Sequence, residues 1–138
     1  MRFIVFVKAS SESEKGGMPD RRDLEEMNRF NQELVNAGMM LAGEGLHPSS
    51  EGSRIAFSRG TPKVSDGPFA ETKELVAGYW VLKARSKDEV IDWMKRAPFE
   101  DGELEIRQIT EDEEFAFAPE IVEQEQQLRA QIAKQQHS

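Results

Sequence analysis

The sequence predicts an α+β protein: one antiparallel sheet with two helices on one face and a helical tail. Three observations carry that reading. Residues 3–7 (FIVFV) form a continuous apolar run of β-branched and aromatic types, two later stretches repeat apolar residues at helical spacing, and the elements run strand, helix, strands, strand, helix, strand. A run apolar at every position reads as a central strand buried on both faces. At 138 residues the chain is long enough for one domain with a short appendage.

The elements follow in order. Residues 9–18 (ASSESEKGGM) are small, polar and glycine-containing, which predicts a loop. Pro19 suits the first turn of a helix, and Asp20 and Asp23 favour its positive end. Leu24, Met27, Phe30, Leu34 and Ala37 then recur at helical spacing, and Gly38 fits the position that ends the helix. Met39 to Leu46 reads as a strand interrupted by Gly43 and Gly45. A turn at 47–52 leads to a short strand from Arg54 to Ser58, a second turn at 59–62 and an extended piece at 63–65. The run at 66–74 (DGPFAETKE) is a loop, and 75–84 (LVAGYWVLKA) is the strongest strand after the first. Ser86 and Glu89 form a capping box, Val90, Ile91 and Met94 give that helix its apolar stripe, and Pro98 marks its end. Glu103 to Ile109 alternates polar and apolar, as a half-exposed last strand does.

Two βαβ-like halves with an inserted hairpin make a ferredoxin-like plan. Both helices then cover one face of the sheet. The other face must be hidden too, because the first strand is apolar on both sides, and a second copy of the sheet is the simplest cover. This domain is expected over 1–110, with 111–138 an acidic linker and a C-terminal helix. A helix at 119–133 would dock on the domain or its partner by Ile121, Val122, Leu128 and Ile132.

Composition narrows the chemistry. There is no cysteine, which excludes disulfides, a thiol nucleophile and thiolate metal sites. The two histidines, His47 and His137, argue against a multi-histidine metal centre. No metal and no cofactor is expected. Residues 1–99 carry 15 basic and 15 acidic side chains, whereas 100–138 carry 3 and 11, so the whole excess of negative charge lies at the C-terminal end. Neither part offers a basic stripe, which argues against nucleic acid as a partner. Five apolar residues at the N-terminus are too few for a signal segment or a membrane span, so a soluble cytoplasmic protein is expected, with a homodimer from the two-sided first strand and a small-molecule ligand as the candidate partners.

The candidate site residues cluster in two segments. Asp66 begins the loop at 66–74. In an Asx-turn its carboxylate would bond the amide two residues on, but that residue is Pro68, which has no N–H. Asp66 then reaches Phe69 or Ala70, or serves a ligand or a proton transfer. Gly67 and Pro68 pre-set the loop. Glu71, Lys73 and Glu74 form either a solvated rim or a site in which Lys73 binds an anionic substrate and a carboxylate moves a proton. In the second segment Met40, Ala42, Glu44 and Leu46 share one strand face. A carboxylate there is costly unless paired. Glu44 is either a solvated residue at a bulged strand end or a general base in a cleft. His47, at the end of that strand, is either a turn residue or a proton carrier. Tyr79 and Trp80 point to opposite faces, one into the core and the other into an interface or pocket.

Gly43-Glu44-Gly45-Leu46-His47-Pro48 followed by DGPFAETKE at 66–74 resembles the DGPF family of YCII-related proteins, from the first strand to about residue 109. The resemblance implies a dimeric α/β barrel, in which ferredoxin-like subunits pack sheet to sheet. Most members of that family are of unknown function, and some are encoded beside extracytoplasmic-function sigma factors. The broader group resembles muconolactone isomerases and includes an enzyme that removes chloride from a chlorinated hydroxyquinol. It therefore implies a metal-free lyase or isomerase acting on a small cyclic or anionic compound, or else a non-catalytic binding or regulatory domain. In that group a histidine on the first helix and an aspartate near the second strand act as an acid–base pair. Here Asp23 stands roughly where the histidine belongs and Glu44 lies in the region of the aspartate. The catalytic candidates are therefore Asp66, Glu44 and His47, and the substrate-binding candidates are Lys73, Glu71 and Tyr79.

Overall fold

The computed structural model describes residues 1–136, apart from the side chain of Lys73; His137 lies outside the described residues. The chain divides into two compact units, residues 1–108 and the segment from Ile109 onward. Among the described residues no helix is long and apolar enough to cross a membrane.

The first unit runs β1 (Arg2–Lys8), α1 (Ser11–Glu14), α2 (Arg21–Asn36), β2 (Met40–Gly45), β3 (Ser53–Ser58), β4 (Thr61–Asp66), β5 (Val76–Lys83), α3 (Lys87–Met94) and β6 (Leu104–Gln108). Four strands form one sheet in the order β2-β5-β1-β6, every neighbouring pair antiparallel. That is the ferredoxin-like order. The β3–β4 pair forms a separate two-stranded hairpin inserted between β2 and β5.

Strand alternation sorts the sheet's side chains. Phe3 lies opposite Leu82, and Val5 lies between Trp80 and Ile106, so these residues share one face. There they pack with Phe30 and Leu34 of α2 and with Val90 and Met94 of α3. On the other face Ile4 sits opposite Val81 and Phe6 opposite Tyr79, all half-buried. The first strand is thus apolar on both sides as its sequence predicts, with the helices covering one side. Trp80 goes into the core and Tyr79 to the outer face.

Local chemistry shifts several boundaries. The carboxylate of Asp20 accepts the Asp23 amide at 2.9 Å, so Asp20 is the N-cap of α2 and Pro19 stands before the helix, not in its first turn. The expected loop at 9–18 contains α1, because Ser10 and Ser13 cap each other reciprocally. Ser86 accepts the Glu89 amide at 3.2 Å, but the Glu89 carboxylate turns to the amide of Arg85. A register shift between Met40 and Ala42 sends Met40 to the core side and Ala42 to the outer side, so the two do not share a face. Gly38 follows α2 with a φ of 72°, a conformation that favours glycine.

The second unit contains a short 3-10 turn (Asp112–Phe115) and the terminal helix α4 (Pro119–Gln136). The Glu114 carboxylate accepts the Glu111 amide at 2.8 Å, which closes the turn. Ile121, Leu128 and Ile132 lie exposed along α4.

Leu82 is fully buried at the centre of the sheet's inner face. Leu82→Ala should cost roughly 2–5 kcal/mol of stability, read from the midpoint of a denaturant titration. A loss under about 1 kcal/mol would show that the core is not assembled around this residue.

Candidate ligand cavity and the DGPF loop

The helix-covered side of the sheet is not filled at its β2–β5 edge. Gly43 lies opposite Trp80, and Gly45 opposite Gly78, so three of the four positions in that patch of the face carry no side chain. The space left is a cavity of about 230 Å³. Met27 and Asn31 of α2, Trp80 and Phe99 contribute to its walls. The glycines cannot be replaced freely. A Cβ on Gly43 would come within 2.6 Å of Met40 Cε and 3.1 Å of Trp80 Cδ1, and one on Gly78 would come within 2.9 Å of the Glu44 carbonyl oxygen.

Trp80 is held on several sides. Its ring meets Phe30 edge-on with centroids 5.9 Å apart, and Phe99 edge-on at 6.3 Å. Its indole N–H donates to Asn31 Oδ1 at 2.9 Å. An indole N–H buried without an acceptor would cost about 1–3 kcal/mol, so Asn31 completes the core as well as lining the cavity.

Glu44 and Tyr79 also line this cavity. They are direct cross-strand neighbours, and the alternation places both side chains toward the outer face. Glu44 is exposed there.

The loop that begins at Asp66 is tied elsewhere. The Ser53 hydroxyl donates to Asp66 Oδ1 at 2.7 Å, which clasps the ends of the β3–β4 hairpin. The amide of Gly67 donates to the Gly52 carbonyl at 2.9 Å, and its peptide bond to Pro68 is cis. A Cβ on Gly67 would lie 1.8 Å from the carbonyl oxygen of Ser49, so only glycine fits this contact between two loops. The Arg54 guanidinium stacks 3.8 Å above the Phe69 ring.

Ser49 joins these contacts to α1. Its hydroxyl accepts the Phe69 amide at 3.1 Å and donates in turn to Glu14 Oε1, while its amide donates to Glu14 Oε2 at 3.0 Å. These bonds hold the Glu14 carboxyl below the usual carboxylate range, the Ser49 hydroxyl contributing most and the Ser49 amide next.

The remaining candidates are dispersed. His47 Nδ1 lies 3.1 Å from Glu51 Oε1, and its side chain is 82% exposed. It lines a different, wider cleft together with Glu12, Asp20, Asp23 and Glu51. Glu71 is exposed in the loop before β5, and the side chain of Lys73 lies outside the described residues. Asp66 does not line the cavity that Glu44 and Tyr79 share. Among the described residues no three His, Cys, Asp or Glu come close enough to hold a metal ion. Asn31 and the Glu14–Ser49 pair had no sequence signal, because each partner lies far along the chain.

Gly67→Ala should expose the Phe69 amide to hydrogen exchange and lower the melting temperature. An unchanged exchange rate would contradict the loop-on-loop packing. Glu14 is more acidic folded than unfolded, so its bonds to Ser49 stabilise the fold above the unfolded value of about 4.3. That contribution is lost as pH falls through the lower folded value. The stability difference between the wild type and Glu14→Gln should therefore be constant near neutrality and shrink below about pH 4. A difference that grows on acidification would contradict this assignment.

Residues 1–113 match the YCII-related domain. An uncharacterized protein of Rhizobium meliloti (strain 1021) is 31% identical over 91 residues, which span 64% of this chain and 73% of that protein. Among solved structures, 5-chloro-2-hydroxyhydroquinone dehydrochlorinase from Burkholderia phenoliruptrix, in complex with 2,5-dihydroxybenzoquinone, is similar with a TM-score of 0.47. That comparison has 13% identity and covers 80% of this chain and 94% of the other. The matched span takes in the four-stranded sheet, its two covering helices and the DGPF loop, and the chain belongs to the YCII-related domain family.

Proposed function

We propose that this chain binds a small cyclic organic compound in the cavity beside Trp80. The carrying observation is the set of three glycines that opens the inner face next to Asn31, Trp80 and Phe99. Aromatic walls with one polar anchor suit a flat, largely apolar ring. With Asn31 Oδ1 engaged by Trp80, its amide N–H donors are left to a ligand oxygen.

Acid–base turnover is the second reading, favoured by the placement of Glu44 beside Tyr79 at the edge of this cavity. In that reading the compound reaches round the β2 edge to the outer face, where both side chains lie, and there Glu44 takes a proton from it and Tyr79 donates a hydrogen bond to one of its oxygens. Asp66, His47 and Glu71 take no direct part in either reading, since none lines the cavity. Asp66 instead shapes the hairpin.

The outer face suits a second copy. Ile4, Phe6, Tyr79 and Val81 form a half-buried block on it, and a cytoplasmic homodimer that pairs these faces would cover both sides of β1.

Calorimetric titration with a panel of hydroxylated aromatic and lactone compounds tests the binding reading. Asn31→Ala should weaken binding of any hit about tenfold, and Glu44→Gln by less than about twofold. Equal binding by Asn31→Ala would place the ligand elsewhere. Solvent deuterium entering the bound compound, and absent with Glu44→Gln, would establish turnover; no entry with the wild type would leave binding alone. For the dimer, Phe6→Arg should yield a monomer in sedimentation velocity, and an unchanged sedimentation coefficient would contradict the face-to-face pairing.

A further inference from the structure

The terminal helix α4 presents its apolar stripe outward: Ile121, Leu128 and Ile132 are 47%, 56% and 50% exposed. At 3.6 residues per turn the three lie within about 40° of one another, on a seam too thin to be read as a core face. The charges of this helix are segregated along its length. Glu120, Glu123 and Glu125 lie in the N-terminal half, and Arg129 and Lys134 in the C-terminal half.

We propose that α4 pairs with the α4 of a second copy, antiparallel, about a two-fold axis near residue 127. In this register Glu125 of each copy faces Arg129 of the other, and Glu120 faces Lys134. Ile121 packs beside Ile132 of the other copy, and Leu128 lies next to the axis. Glu125 and Arg129 flank the stripe on the same side, which is the geometry an antiparallel pair requires of its flanking charges. A parallel pair would set glutamate against glutamate. Arg129 lies 3.8 Å from Asp112 Oδ1 of its own chain, a long surface contact that competes only weakly with a partner. The interface is isologous and closes on itself. With about 27 Å of helix and three apolar residues from each copy, the association is weak and falls with salt.

The chain has no cysteine, so single cysteines report this geometry in the full-length protein. Under mild oxidation Leu128→Cys should form an intermolecular disulfide with itself. Ile121→Cys and Ile132→Cys should form one when mixed, at least threefold faster than either does alone. Ile121→Cys linking to itself as fast as in the mixture would overturn the antiparallel register. No variant linking faster than Ser58→Cys, at the tip of the exposed β3–β4 hairpin, would overturn the pairing altogether. The charges give a second test. Glu125→Arg and Arg129→Glu should each slow the Leu128→Cys linkage, and an equimolar mixture of the two should restore it. Contacts within one helix predict no such rescue, so a mixture behaving as the average of its components would refute the ion pairs.

Discussion

The fixed position of Trp80 is the constraint on which the rest of the domain depends. The residue sits in β5, between the edge strand β2 and the central strand β1, and its ring reaches α2 and the segment after α3. The bond from its indole N–H to Asn31 ties α2 to the sheet. A large ring at this point props the helix while Gly43, Gly45 and Gly78 leave the neighbouring floor bare. The cavity is therefore a consequence of packing a tryptophan beside glycines. Filling those positions would remove the space and force the Met40 side chain and the Trp80 ring to move.

The DGPF loop is held in place by its contacts with residues 49–54. Asp66, Gly67 and Phe69 are each engaged with residues 49–54: a serine hydroxyl, two backbone carbonyls and an arginine face. Ser49 relays this contact to Glu14, so one carboxylate in α1 braces a loop more than fifty residues further along the chain. A two-stranded hairpin is marginal by itself in water, and these bonds supply the anchorage that the separate β3–β4 pair lacks.

Alternation and helical spacing made most of the fold readable. The run at 3–7 is a central strand as its pattern predicts, buried on the helix side and half-buried on the other, and the opposed Tyr79 and Trp80 and the Gly38 stop follow their patterns. Where structure and pattern differ, a local competition decides. At the start of α2 an aspartate side chain capped the helix one residue beyond the proline. In β2 a bulge separated Met40 from Ala42. Around Ser10 two serines made a helical turn inside a polar stretch. The candidate site was less legible. Glu44 and Tyr79 line the cavity, yet Asn31 looks from the sequence like any polar residue on a helix surface. Only the distant Trp80, brought beside it by the fold, reveals its part. Pro68 denies Asp66 the usual turn bond, and its partner, Ser53, lies across a hairpin whose pairing the sequence does not display.

We propose that small molecules bind beside Trp80, with the DGPF loop as a scaffold. Two-dimensional amide NMR of the full chain, titrated with a small hydroxylated ring compound that binds, tests this most directly. Binding there should shift the Trp80 indole N–H and the Gly43 and Gly78 amides and leave the Gly67 and Phe69 amides unmoved. Shifts centred on residues 66–69, with the Trp80 indole unchanged, would contradict it.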